Sequence, residues 1–137
     1  MVFQRLRAAA VALAVVAMVQ SGPALADDNF RAILEADAAK IDTALALEGD
    51  EAAKIDEILA AGVAQRLDIL DKAGIVYGGE APGYATLLAV QVQMDALRAK
   101  EREQLAVLLT EEQMKTVDEL GKAAEQEFKD IVLGGAT

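Results

Sequence analysis

Leu108-Leu109-Thr110-Glu111-Glu112-Gln113-Met114 reads as the start of a helix written in full. Thr110 is a good N-cap: its hydroxyl can accept from the orphan amide of Gln113, and the Gln113 side chain can reach back to the amide of Thr110. Together they make a capping box. Leu109 and Met114 stand where a hydrophobic staple would clamp the turn. Glu111 and Glu112 fall in the first turn, where the helix dipole favours anions. A cap of this kind stabilises by roughly 1 kcal/mol. It fixes the boundary between two helices, and the rest of the chain can be read outward from it.

Downstream, Met114, Val117, Leu120, Ala124, Phe128 and Ile131 recur at helical spacing, which predicts a helix over 111–133 before Gly134-Gly135. Upstream, a helix is expected over 84–108. Its first half is apolar on more than one face. Leu87, Val90, Met94 and Leu97 form one stripe; Leu88, Val92, Ala96 and Ala99 form a second. A helix in a small bundle needs one buried stripe. The second, and with it the group Leu87, Leu88, Val92, Met94 and Ala96, is therefore a candidate dimer or client surface, unless the first helix covers it. The later half, 98–104, is nearly all polar and reads as a solvated face with i,i+4 pairing.

Gly74, Gly78, Gly79, Pro82 and Gly83 stop any helix between residues 74 and 83. Ile75-Val76-Tyr77 makes this loop unusually apolar. Either these three tuck under a helix end or they form a contact surface. Before the loop, Ile55, Ile58, Leu59, Val63, Leu67 and Leu70 predict a helix over 51–73 with Asp50 as its cap. Gly62 weakens it by about 1 kcal/mol relative to Ala, and Gly74 is its natural stop. Phe30, Ile33, Leu34, Ala38, Ile41 and Leu45 predict the first helix, over 29–46. No segment alternates with period two. The chain reads as all-α, four helices in long hairpins.

The N-terminus carries Arg5 and Arg7, an uncharged apolar run over 8–19, and Ala24-Leu25-Ala26. That is the pattern of a secretory signal peptide, 1–26, cut after Ala26 to leave one helical domain, 27–137. The run is too short for a stable membrane anchor. Losing two arginines and no acid takes the net charge from −10 to −12. Such a surface repels nucleic acid and anionic lipid. The mean hydropathy of +0.25 is raised by the N-terminal segment. With no cysteine, an exported form relies on its apolar core and not on disulfides.

The side-chain inventory narrows the chemistry. There is no His and no Cys, and the single Ser, Ser21, lies in the N-terminal segment. Ser/His, Cys/His and thiol catalysis lack their residues. Zinc, copper and Glu-x-x-His di-iron sites lack imidazole and thiolate. No strand precedes Gly78-Gly79 to make a phosphate loop, and residues 42–56 do not supply a calcium ladder. The expectation is a non-enzyme without cofactor or metal.

Leu109-Thr110-Glu111-Glu112-Gln113 resembles the LTxxQ motif of the Spy/CpxP group of small periplasmic proteins. An earlier, degenerate copy falls at 47–51: Leu47 is kept, Glu48 stands for Thr and Glu51 for Gln. The expected signal peptide, chain length and helix order are similar to that group as well. The resemblance implies motif residues Leu109, Thr110 and Gln113, and a curved helical cradle that forms an antiparallel homodimer. It implies a periplasmic, ATP-independent chaperone for unfolded envelope proteins or, alternatively, a stress-signalling adaptor that docks on a folded partner such as a sensor kinase. The metal-binding branch of that group uses His, which this chain lacks.

Overall fold

The computed structural model describes residues 28–134. The expected signal segment, 1–26, lies outside them. Four helices follow one another: α1 Asp28–Leu45, α2 Gly49–Ala73, α3 Tyr84–Leu108 and α4 Glu111–Gly134. The described residues contain no strand, so the fold is all-α, with helix bounds within two residues of those expected.

Two apolar clusters fix the topology. At one end, Phe30 from the start of α1 meets Leu67 and Leu70 from the end of α2, Val90 from the start of α3 and Val132 from the end of α4. At the other, Leu45, Ile55, Leu59, Leu105 and Met114 come together, with Leu109 from the α3–α4 turn. Each helix therefore runs antiparallel to the next. The hairpins close into a ring in which α1 packs on α2 and α4, and α3 packs closely on α2 and sparsely on α4.

The turns show how the ends are held. The cap at Thr110 forms as the sequence predicts: the Thr110 amide donates to Gln113 Oε1 at 2.8 Å, and the Gln113 amide donates to Thr110 Oγ1 at 3.2 Å. Leu109 and Met114 are buried in the same cluster, as a staple requires. At the end of α2, Gly74 is left-handed at φ 73°. Its amide donates to the Asp71 carbonyl and that of Ile75 to the Leu70 carbonyl, each at 3.0 Å. This is a Schellman stop, and its hydrophobic contact is Ile75 against Leu70.

The α1–α2 turn differs from expectation. Asp50 is not the cap; α2 starts at Gly49, and Glu48 stands at the N-cap in extended conformation without a side-chain cap bond. Two left-handed residues bend the chain instead, Ala46 at φ 49° and Gly49 at φ 75°. Of the degenerate motif, Leu47 is half-buried against the cluster of Leu45, Ile55 and Met114, and Glu51 is exposed in the first turn of α2.

Candidate functional site

Two features stand apart from the packed ends. One is on the outside of α3. Leu87 and Met94 turn inward and pack with Val90 in the core. Leu88 and Val92 turn outward, 47% and 67% exposed, and Ala96 is exposed with them. The first helix does not cover them. Tyr84, one turn earlier, extends the same line and is 76% exposed. Residues 81–94 carry no charge in a chain that is otherwise rich in acid. The loop divides between the two readings left open for it: Ile75 is buried, Tyr77 sets its ring edge-on to Phe30 at 5.5 Å, and Val76 is exposed.

The other feature lies between the clusters. Each helix breaks its inward stripe at mid-height: Asp37 on α1, Gly62 and Arg66 on α2, Glu101 on α3 and Gly121 on α4 all line a cleft of about 520 Å³ or the clasp beside it. The expected solvated face of α3 is exposed at residues 99, 100 and 102–104, and Glu101 is the exception. Glu101 is only 9% exposed, and Arg66 grips it with both ends of its guanidinium, Nη1 to Oε2 at 2.9 Å and Nη2 to Oε1 at 2.5 Å. Gly62 makes room for the clasp: a Cβ there would overlap Glu101 Oε2 and come within 2.8 Å of Arg66 Nη1.

Where α3 and α4 stand apart, long side chains span the gap. Arg98 Nη1 donates to Glu125 Oε2 at 2.7 Å, and Arg102 donates through Nε and Nη2 to the two carboxylate oxygens of Asp118, each at 3.0 Å. The bonds from Arg102 hold the Asp118 carboxyl below its ordinary range. Burial pushes Glu125 up, but Arg98 and Lys129 outweigh it and bring it below. Asp37 is different. Burial raises its carboxyl above the usual range, and the charge of Glu127 raises it further, against Lys40 and Arg66. Burial also lifts Glu35 on the same helix.

The cleft exists because α4 is slim at its centre. Met114, Val117, Gly121, Ala124, Phe128 and Ile131 follow the alternating three- and four-residue steps of an inward seam, and the two smallest sit in the middle. A Cβ on Gly121 would meet nothing within 4 Å. The apolar reading of α4 passed over Gly121 because glycine carries no hydropathy signal. The seam spacing alone would have found it.

Among the described residues, no group of three or more His, Cys, Asp or Glu is placed to hold a metal ion. No described helix is long and apolar enough to cross a membrane. No family model, curated protein or solved structure matches the chain.

Proposed function

We propose that this is a periplasmic, ATP-independent chaperone-like protein that binds unfolded envelope proteins loosely through the outer stripe of α3 and works as a homodimer. The observation that carries the reading is Tyr84, Leu88 and Val92 standing exposed in line on a segment without charge. A soluble domain that leaves large apolar side chains in one row offers them to other chains. The acidic remainder keeps the protein dispersed and draws basic segments of a client by long-range attraction. The likeness of Leu109, Thr110 and Gln113 to the LTxxQ motif supports the same reading, as does a side-chain inventory without nucleophile–base pairs.

The test is aggregation of two unrelated clients, one reduced and one chemically denatured, at near-stoichiometric ratios. The protein should slow both. The double variant Leu88→Glu/Val92→Glu should stay folded by circular dichroism, because both sites are exposed and the new charges remain in water. It should lose client protection and sediment as a monomer. Protection of neither client by the native protein would overturn the chaperone reading and favour an adaptor with one folded partner. A dimeric variant with full activity would remove the stripe from both roles.

A further inference from the structure

We propose that the cleft at the waist of the bundle is a binding site for an uncharged, elongated apolar molecule of the alkyl-chain kind. The cleft is separate from the outer stripe of α3, and this inference does not depend on the chaperone reading. Its volume, about 520 Å³, lies in the range of small-molecule sites. Its wall is mostly apolar, with Leu34, Val63, Met94 and Phe128 around the small residues Gly121 and Ala124. The shape follows from the stretch that each helix contributes: 30–41 of α1, 59–70 of α2, 94–105 of α3 and 117–131 of α4. At 1.5 Å per residue the three shorter stretches are each about 16 Å long, whereas a sphere of 520 Å³ is about 10 Å across. The cleft is therefore longer than it is wide and runs along the bundle. It ends against the two apolar clusters: Phe30 and Leu70 belong to one, Leu59 and Leu105 to the other.

The lining leaves no surplus charge for a ligand to meet. It holds five acids and five bases. The three arginines are each tied to a carboxylate on a neighbouring helix, Arg66 to Glu101, Arg98 to Glu125 and Arg102 to Asp118. Asp37 is ion-paired with Lys40 at 3.7 Å. Glu127 and Lys122 are the last acid and base of the lining. An ionised group entering the cleft would lose hydration and find no excess countercharge in return. An uncharged chain loses no such hydration, and it takes apolar wall out of water along its whole length. Room for it is left on α4, where a Cβ on Gly121 would meet nothing within 4 Å.

The experiment titrates four ten-carbon probes calorimetrically into the protein as purified from its host: 1-decanol, the compact alcohol 1-adamantanol, decanoate and decylammonium. Decanol should bind one-to-one. It should bind at least tenfold more tightly than adamantanol, which carries the same hydroxyl on a compact body, and at least tenfold more tightly than either ion. Gly121→Leu and, separately, Ala124→Leu put a large side chain into the cleft. Each should weaken decanol at least tenfold, with helicity by circular dichroism showing that the variant is folded. Leu88→Glu/Val92→Glu, on the outer stripe, should leave decanol binding intact. No binding of decanol would overturn the proposal. Adamantanol binding as tightly as decanol would refute the elongated site, and either ion binding as tightly would refute the uncharged one. Decanol binding undiminished in a folded Gly121→Leu or Ala124→Leu protein, or lost in Leu88→Glu/Val92→Glu, would place the probe elsewhere and overturn the assignment to the waist.

Discussion

Gly62 and Gly121 are both glycines inside long helices, and helix propensity alone treats them alike: replacement by Ala gains about 1 kcal/mol at either. The structure gives them opposite signs. At Gly121 the new methyl meets nothing within 4 Å, so Gly121→Ala keeps the whole gain and raises stability by about 1 kcal/mol. At Gly62 the methyl takes the space of Glu101 Oε2. The far end of a glutamate is ordinarily easy to move. This one is 9% exposed and held by both arms of Arg66, so moving it breaks charge-assisted hydrogen bonds in a half-dry site. Bonds of that kind contribute about 1.5–3 kcal/mol. Subtracting the propensity gain leaves Gly62→Ala destabilised by about 0.5–2 kcal/mol, a fall in melting temperature on the order of 2–15 °C for a domain of this size. Thermal and urea unfolding of the two variants side by side measures the difference. In a Glu101→Ala background the obstacle is gone, and Gly62→Ala should return to stabilising. If Gly62→Ala stabilises the native protein as much as Gly121→Ala does, the clasp does not press on α2 and the account of the waist is wrong.

Three further outcomes are expected. Thr110→Ala removes the hydroxyl that accepts from the Gln113 amide and should cost about 1 kcal/mol in urea unfolding, with Gln113→Ala costing less; an unchanged midpoint would leave the motif without a capping role. Ala46→Gly relieves a left-handed residue at φ 49° and should stabilise by about 1 kcal/mol, whereas Ala46→Val should destabilise by more. The carboxylates of the cleft should respond to pH in opposite directions. Asp37 has a raised folded-state pKa, so its favourable contribution is complete below the unfolded value of about 3.9 and is lost as pH rises through the folded one. Asp37→Asn should therefore stabilise at neutral pH and make no difference in acid. Asp118 has a lowered pKa, so its contribution is present above the unfolded value and is lost as pH falls through the folded one. Asp118→Asn should destabilise at neutral pH by less than about 1 kcal/mol, as suits a solvent-exposed pair, and this difference should vanish on acidification. Stability curves from neutrality to acid for both variants decide the signs.

Local chemistry in this chain is legible without a structure because its causes lie a few residues apart. Thr110 and Gln113 cap α4 through two bonds that span three positions, and Gly74 stops α2 through bonds back to residues 70 and 71. The apolar periods gave all four helices, and the double stripe at the start of α3 marked the face that stays exposed. What the sequence could not display is the waist. Asp37, Arg66, Glu101 and Gly121 are separated by tens of residues. Each alone reads as an ordinary solvated charge or a weak point in a helix, and residues 98–104 look like a uniform polar surface. Only when four helices are set side by side do these positions come to one height, where Glu101 needs a glycine opposite it and a slim α4 leaves a cleft. Only the cap at the 46–49 turn was misassigned, for a related reason: the start of α2 has no side-chain cap bond, and Ala46 takes a left-handed conformation that its own preference disfavours. Bonds between near neighbours are encoded in spacing. Whether a charged residue lies in water or between helices depends on the partner that packing brings to it, and that was decided by the tertiary structure alone.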